Sequence, residues 1–479
     1  MNSAKLTDGS ADRASYGAQT MPNTALTHAS PHPTSSFSVR LVCVYVFLIV
    51  SRVLDVSPIW WLHVPMMLLL LLIILTCFRG EFSITFRSKI SRYFAWFTVW
   101  VLACFPLSQW RAASSGPVIA QLQAFAIFLI VGQTIKTRAD WRRFAGTYAY
   151  AILAAGLLGF YLTRSVENGR LALVNGSLAD PNEFALTLVV GLPFWWYKAS
   201  VTTGVRKIFY LLCTVPIFVT FARTGSRSGL FAFAALLLVT FLLGQGARKM
   251  LIAVGAAVLV VAAAFLLPEY LKVRYFTIFS PPEGAQLDTR GQAHLQADIS
   301  SSEGRKMLLI QSIRMTFEHP VFGVGPGVFS YAGWDERNKS GTSAGIAQVT
   351  HNTYTQISSE TGIPGFILFA ITLFLAVKFT WAEYRAAADP ELAKKARYLF
   401  ETFVALSIGI FFLSVGYTYT VAVMFALAVS LRNIAEAARA GSEAGSTSGL
   451  LARSQAPALP LPTRSRRLRP MFLGSRGRS

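Results

Sequence analysis

The sequence predicts an all-α, polytopic membrane protein, on three observations. Apolar runs of about 18 to 22 residues recur from Val39 to Leu431, each long enough to cross a hydrocarbon core about 30 Å thick. Charged residues make up 14% of the 479-residue chain and hydrophobic ones 53%, where a soluble chain carries roughly a quarter charged residues. The mean hydropathy is +0.47.

In chain order, residues 1–38 are polar, contain Ser, Thr and Pro, and read as a disordered extension. The first apolar run shows no cleavage site, so a removed signal segment is not expected. About twelve spans are predicted, at 39–54, 58–78, 93–110, 116–135, 143–163, 184–201, 205–222, 227–244, 250–268, 357–380, 398–416 and 418–434. The last two are read as a pair broken around Gly416. Nine spans thus fill 39–268, a large helical loop occupies 269–356, three spans fill 357–434, and 435–479 is a disordered basic tail.

Loop charges set the orientation. One set of loops holds Arg79, Arg87, Lys89 and Arg92; Lys136, Arg138, Arg142 and Arg143; Lys198, Arg206 and Lys207; Arg248 and Lys249; and Arg385, Lys394, Lys395 and Arg397. The alternating set offers Asp55, Arg111, mixed charges from Arg164 to Glu183, then Arg223 and Arg227. Cytoplasmic loops are the Lys/Arg-rich ones. Both termini are therefore expected in the cytoplasm, with the loop at 269–356 facing outward.

The formal net charge of +21 is spread over short loops and the tail. That distribution fits topology and contact with anionic membrane lipid, and no nucleic-acid partner is expected. The tail ends in Arg464, Arg466, Arg467, Arg469, Arg476 and Arg478 without the aromatic or folded module that nucleic-acid binding requires. Cys43, Cys77, Cys104 and Cys213 all fall in apolar runs, which suits small core residues rather than a disulfide framework or metal site. No repeat of the kind found in inverted-repeat transporters is visible.

The outer loop carries the chemistry. Ser300-Ser301-Ser302-Glu303 fits a capping box, and Met307, Ile310, Ile313 and Phe317 follow at helical spacing. The helix is expected to start there and to stop at Pro320. Arg305 would then sit in its first turn, where the dipole disfavours a cation and an anionic partner would favour one. Gly323-Val324-Gly325-Pro326-Gly327 is a turning segment, since no strand-to-helix unit surrounds it to make it a nucleotide motif. A second helix is expected from near His351 to Thr361, with Gly362 ending it or permitting close packing.

Two readings of His351 stand side by side. It is the cap of a returning helix, bonded to a backbone carbonyl, or a neutral general base whose imidazolium is disfavoured by the helix dipole. His28, His32, His63, His294 and His319 occupy a polar lead, a span, a coil and a helix stop, and carry less weight. Arg223 and Arg227 bracket Thr224-Gly225-Ser226 and either share a helical face or flank a tight turn. They bind anionic substrate bidentately or reach to the interface. Arg170, with Asn175-Gly176 and Asp180-Pro181-Asn182-Glu183, adds a polar patch on the same side.

These motifs resemble the O-antigen ligase and O-antigen polymerase superfamily, which includes bacterial protein O-oligosaccharyltransferases. His351-Asn352, nine residues and Gly362-x-x-Gly365 match the ligase pattern. Arg227-Ser228-Gly229-Leu230 is similar to the family's external Arg motif, although position 231 is Phe and the leucine falls one residue early. Gly304-Arg305 through His319-Pro320, then Gly323 to Gly327, looks like the opening of the conserved domain.

The resemblance implies a GT-C-like membrane enzyme at the periplasmic face of the inner membrane. It would move a glycan from undecaprenyl pyrophosphate to an acceptor hydroxyl, without cofactor or metal. His351 would be the catalytic base, and Arg223, Arg227 and Arg305 would hold the pyrophosphate. Asn352, Gly362 and Gly365 would shape the motif. The acceptor stays open between lipid A-core, another lipid-linked glycan (a polymerase) and a protein. Competing readings are a transferase using Asp55 as base, and a glycan transporter that makes no bond.

Overall fold

The computed structural model describes residues 36–80, 82–162, 170–173, 177–276, 289–339 and 348–454. His28, His32, Asn175-Gly176 and the tail arginines from Arg464 to Arg478 lie outside the described residues, as do most of the two termini expected to be disordered. Every regular element described is a helix. In order they are α1 Ser36–Ser51, α2 Val64–Arg79, α3 Phe82–Phe86, α4 Lys89–Cys104, α5 Arg111–Thr134 and α6 Arg138–Leu162. Then come α7 Pro181–Ser200, α8 Gly204–Leu212, α9 Thr214–Arg223, α10 Arg227–Leu242 and α11 Ala247–Leu266. The outer segment supplies α12 Glu269–Phe276, α13 Thr289–Glu318 and α14 Phe329–Lys339, and the chain closes with α15 Thr353–Ala386, α16 Pro390–Gly409 and α17 Tyr419–Ser454.

This is a polytopic helical membrane protein. Among the described residues, seven helical stretches are long and apolar enough to cross a bilayer, and Phe37–Ser51 and Arg227–Leu242 are shorter apolar helices. α4, α7 and α16 cover three more of the expected spans without meeting both measures.

Four expectations need correction. The span at 93–110 ends at Cys104, because residues beyond it turn to meet the outer segment, where Gln109 N donates to Val324 O at 3.0 Å. The span at 205–222 holds as the candidate crossing Gly204–Arg223, but its helix is interrupted at Cys213, since Pro216 cannot donate to the carbonyl of Leu212. α17 runs on to Ser454, past the expected end of the last span at 434. The outer helix starts at Thr289 rather than at the Ser300–Glu303 box, so Arg305 lies mid-helix and the argument from a helix dipole does not apply to it.

The helices run up and down, which gives the bundle two chemically different ends. At one end, Arg79 bonds Ser38, Arg138 pairs with Asp389, Lys394 Nζ donates to Ser200 O at 3.2 Å, and Arg248 donates to Tyr398 at 2.8 Å. These are the Lys/Arg-rich loops. The other end gathers the starts of α5, α7, α10, α15 and α17 with the ends of α4, α9 and α16. Between the ends, Phe94 packs on Phe128 at 5.0 Å and on Phe425 at 5.3 Å, joining α4, α5 and α17. With lipid as apolar as the core, such close packing is what holds membrane helices together.

The outer segment is fastened to α15 through backbone bonds. Val324 N donates to Ser359 O at 2.9 Å, Gly325 N to Glu360 O at 3.0 Å, and Ile363 N to Pro320 O at 2.8 Å. This exchange is possible because α15 breaks at Gly362, whose φ of 71° and ψ of −179° lie in a region open essentially to glycine alone. A side chain on Gly362 would also collide with the Val321 and Pro320 carbonyls, and one on Gly323 with the Glu360–Thr361 peptide. Trp100 on α4 braces the same point, its Nε1 donating to Thr361 O at 2.8 Å while its ring stacks on Phe322 at 5.4 Å.

Gly362→Ala is expected to lower stability by about 1–3 kcal/mol or more, read as a lower thermal midpoint of the full chain in detergent. Gly255→Ala, where an added methyl meets nothing within 4 Å, should leave the midpoint unchanged.

Candidate functional site

Three capped helix N-termini lie at the end of the bundle that carries the histidine. Asp180 caps α7, accepting from Asn182 N at 2.6 Å, and Pro181 follows at the first helical position. Ser226 caps α10, accepting from Gly229 N at 3.0 Å. Asn352 caps α15, accepting from Tyr354 N at 2.9 Å and Thr355 N at 3.1 Å. Each N-terminus contributes a positive dipole end and backbone donors, the usual elements of an anion site.

His351 therefore precedes the cap rather than being it. Its backbone is left-handed, with φ at 51°, a conformation uncommon outside glycine. The helix behind it is firmly seated. Thr353 Oγ1 donates to Leu413 O at 2.6 Å, Thr350 and Ser414 hydroxyls pair at 2.7 Å, and Tyr417 OH donates to Glu360 at 2.9 Å. The break expected at Gly416 thus serves as a socket for α15, and Gly416 N donates to Gln356 at 3.3 Å.

The arginines flank a tight turn. Thr224-Gly225-Ser226 separates α9 from α10, and Gly225 has a φ of 60°. Arg170 Nε donates to Thr224 O at 2.9 Å while its other nitrogen donates to Asn182 Oδ1 at 2.9 Å, an oxygen that also receives Ser226 Oγ. Arg274 on α12 donates to Gly225 O at 2.8 Å, and Tyr275 OH donates to Ala222 O at 3.1 Å. Arg223 differs from the others. Its carbonyl accepts from Leu171 N at 3.1 Å, but its exposed guanidinium lies over the Phe160 ring at 5.3 Å.

The electrostatic couplings show which groups meet. Burial, followed by Arg305, holds the His351 imidazole below the usual histidine range, while Asp180 pulls the other way. The shift disfavours the imidazolium, and its causes are burial and a nearby cation rather than the helix dipole. Burial and repulsion from Arg305 and Arg227 push Arg170 down to about 10, with Asp180 opposing. Burial and repulsion from Arg170, Arg227 and Arg305 push Arg274 down to about 9. Arg305 is lowered by burial and by Arg227, and its Nε is buried without a hydrogen-bond partner.

His351, Arg227 and Arg305 are therefore brought together, with Arg170 and Asp180 from the patch noted in sequence. Arg274 was missed by the sequence reading. Its signal is the spacing of Leu271 and Arg274, three apart on the short α12, which seats both against Gly225. Gly365 lies one turn past the break, against Trp100. Asp55, the alternative base, pairs with Arg52 at 3.2 Å. Among the described residues no group of three or more His, Cys, Asp or Glu stands close enough to hold a metal ion.

These couplings have measurable consequences. In histidine-labelled full chain, the His351 resonance should titrate below the ordinary value of about 6.5, and Arg305→Gln should move it upward. A depressed folded-state value means that the unfolded chain binds the proton first. Stability should therefore fall as pH drops through the window below about 6.5.

No curated protein matches the chain. The family model described as O-Antigen ligase matches residues 212–370. That stretch carries Arg227, Arg274, Arg305 and the whole motif from His351 to Gly365, while Arg170 and Asp180 complete the cluster from outside it. Over residues 212–370, about a third of its length, the chain is thus similar to the O-antigen ligase family.

Proposed function

We propose that the protein is a glycosyltransferase of the O-antigen ligase type. It moves a glycan from undecaprenyl pyrophosphate to an acceptor hydroxyl, with lipid A-core as the first candidate acceptor. It works at the periplasmic face of the inner membrane, through about twelve crossings in a GT-C-like arrangement with both termini in the cytoplasm. What carries this reading is the convergence of a half-buried imidazole, held below the usual histidine range, with a cluster of half-buried guanidinium groups.

The chemistry balances without a further reactant. The acceptor oxygen attacks the anomeric carbon and its proton passes to a ring nitrogen of His351. The bond from that carbon to the diphosphate oxygen breaks, and the diphosphate leaves with the electron pair. Arg227 and Arg305, joined by Arg170 and Arg274, hold that growing charge in a preorganised field. Arg223, exposed beside Phe160, is assigned to the rim, where it meets the distal part of the donor. Asn352, Gly362 and Gly365 fix the position of the histidine. Chain growth on a second lipid-linked glycan, and transfer to a protein, use the same chemistry with a different acceptor.

His351→Ala is expected to reduce transfer by about 10²–10⁴-fold, the usual worth of general base catalysis. Arg227→Ala should reduce it by about 10²–10³-fold, with both proteins inserted and abundant, whereas Asp55→Asn should stay near wild type. The assay uses purified full chain with undecaprenyl-linked donor and separate lipid A-core, glycan and peptide acceptors. Full activity in both variants would refute the assignment, and the productive acceptor identifies the member activity.

A further inference from the structure

A second cationic site lies at the opposite end of the bundle. A cleft of about 330 Å³ opens between the starts of α1 and α6 and the end of α7, and Arg40, Arg142, Arg143 and Lys198 line it. The local carboxylates are already engaged. Asp140 accepts from Thr137 Oγ1 at 2.7 Å and faces Arg143 at 3.5 Å, while Glu391 is 2.7 Å from Lys395 and 3.5 Å from Arg142. Neither Arg40 nor Lys198 has a carboxylate partner among the described residues.

Lys198 is held in place by other means. Its ammonium lies 4.8 Å from the Tyr150 ring centre and 4.6 Å from that of Tyr210, so two aromatic faces orient it. Gly146 leaves room for it, since a methyl there would come within 3.2 Å of the nitrogen. A fixed ammonium beside three guanidinium groups is a costly arrangement unless an anion joins it.

The surroundings favour a lipid over a free anion. Tyr210 belongs to α8, which has no buried residue and presents Val205, Ile208 and Leu212 at 82%, 58% and 61% exposure. On the other side of the cleft α1 exposes Phe37 and Val44. Acyl chains would lie on these apolar surfaces while a phosphate enters the cleft.

We infer that this cleft binds the phosphate headgroup of an anionic glycerophospholipid, at the end of the bundle opposite the candidate active site. The inference rests on the membrane fold and is independent of the transfer reaction. Native mass spectrometry of the full chain in neutral detergent tests it, with phosphatidylglycerol and phosphatidylethanolamine supplied at equal concentration. Phosphatidylglycerol should be retained preferentially, and Lys198→Met or the exposed Arg40→Gln should each lower its occupancy about fivefold. Lys89→Gln with Arg92→Gln, in a basic cleft built from a single helix, should leave occupancy unchanged, with circular dichroism identical throughout. Excess inorganic phosphate should fail to displace the lipid. Equal retention of the two lipids, wild-type occupancy in the Lys198 and Arg40 variants, or full displacement by phosphate would each overturn the proposal.

Discussion

The backbone exchange between residues 320–325 and 359–363 holds the candidate site together. Val324, Gly325 and Ile363 each donate across it, and the exchange requires α15 to break at Gly362 with its carbonyls turned outward. A continuous helix would keep the Ser359 carbonyl in its own ladder, bonded to Ile363 N, which would lose the exchange at both points, while Pro364 frees the Glu360 carbonyl in any case. Because α13 leads directly into this junction, the break fixes where Arg305 lies relative to His351. Glycine in the motif is thus a demand of backbone geometry before it is one of chemistry.

The electrostatics follow from that geometry. Four half-buried arginines, two of them with Asp180 as a carboxylate neighbour, form a site whose own charges repel. Hydrogen bonds to the Thr224 and Gly225 carbonyls and to Asn182 satisfy individual donors. A diphosphate would add negative charge among them, and the capped starts of α7, α10 and α15 lie at the same end of the bundle. Burial and then Arg305 disfavour the charged form of the imidazole, so in the proposed reaction anion binding and base strength would be coupled through Arg305.

The two ends of the bundle use basic residues differently. At the far end, Lys395 and Arg138 lie close to Glu391 and Asp389, and these charges stitch the starts of α6 and α16 together. Arg40 and Lys198 stand outside that stitching, beside surfaces suited to lipid chains. At the histidine end, Arg170 and Arg274 are anchored by the backbone carbonyls of the turn between α9 and α10.

The sequence alone determined the helical membrane class, the alternation of basic and poor loops, and the pairing of His351 with Gly362 and Gly365. Hydrophobic length and local spacing report these directly. It also placed Arg223 beside Arg227, since neighbours in sequence cannot be far apart. Tertiary structure decided that they diverge, because a turn between α9 and α10 sends one guanidinium to Phe160 and the other inward. It also decided that Arg274 joins the cluster, and that Arg305 acts from mid-helix rather than from a helix start. Local pattern reports which face a helix will bury and where the chain can turn. Which charges then share one space depends on long-range backbone bonds between segments far apart in sequence, and no spacing within either segment encodes that meeting.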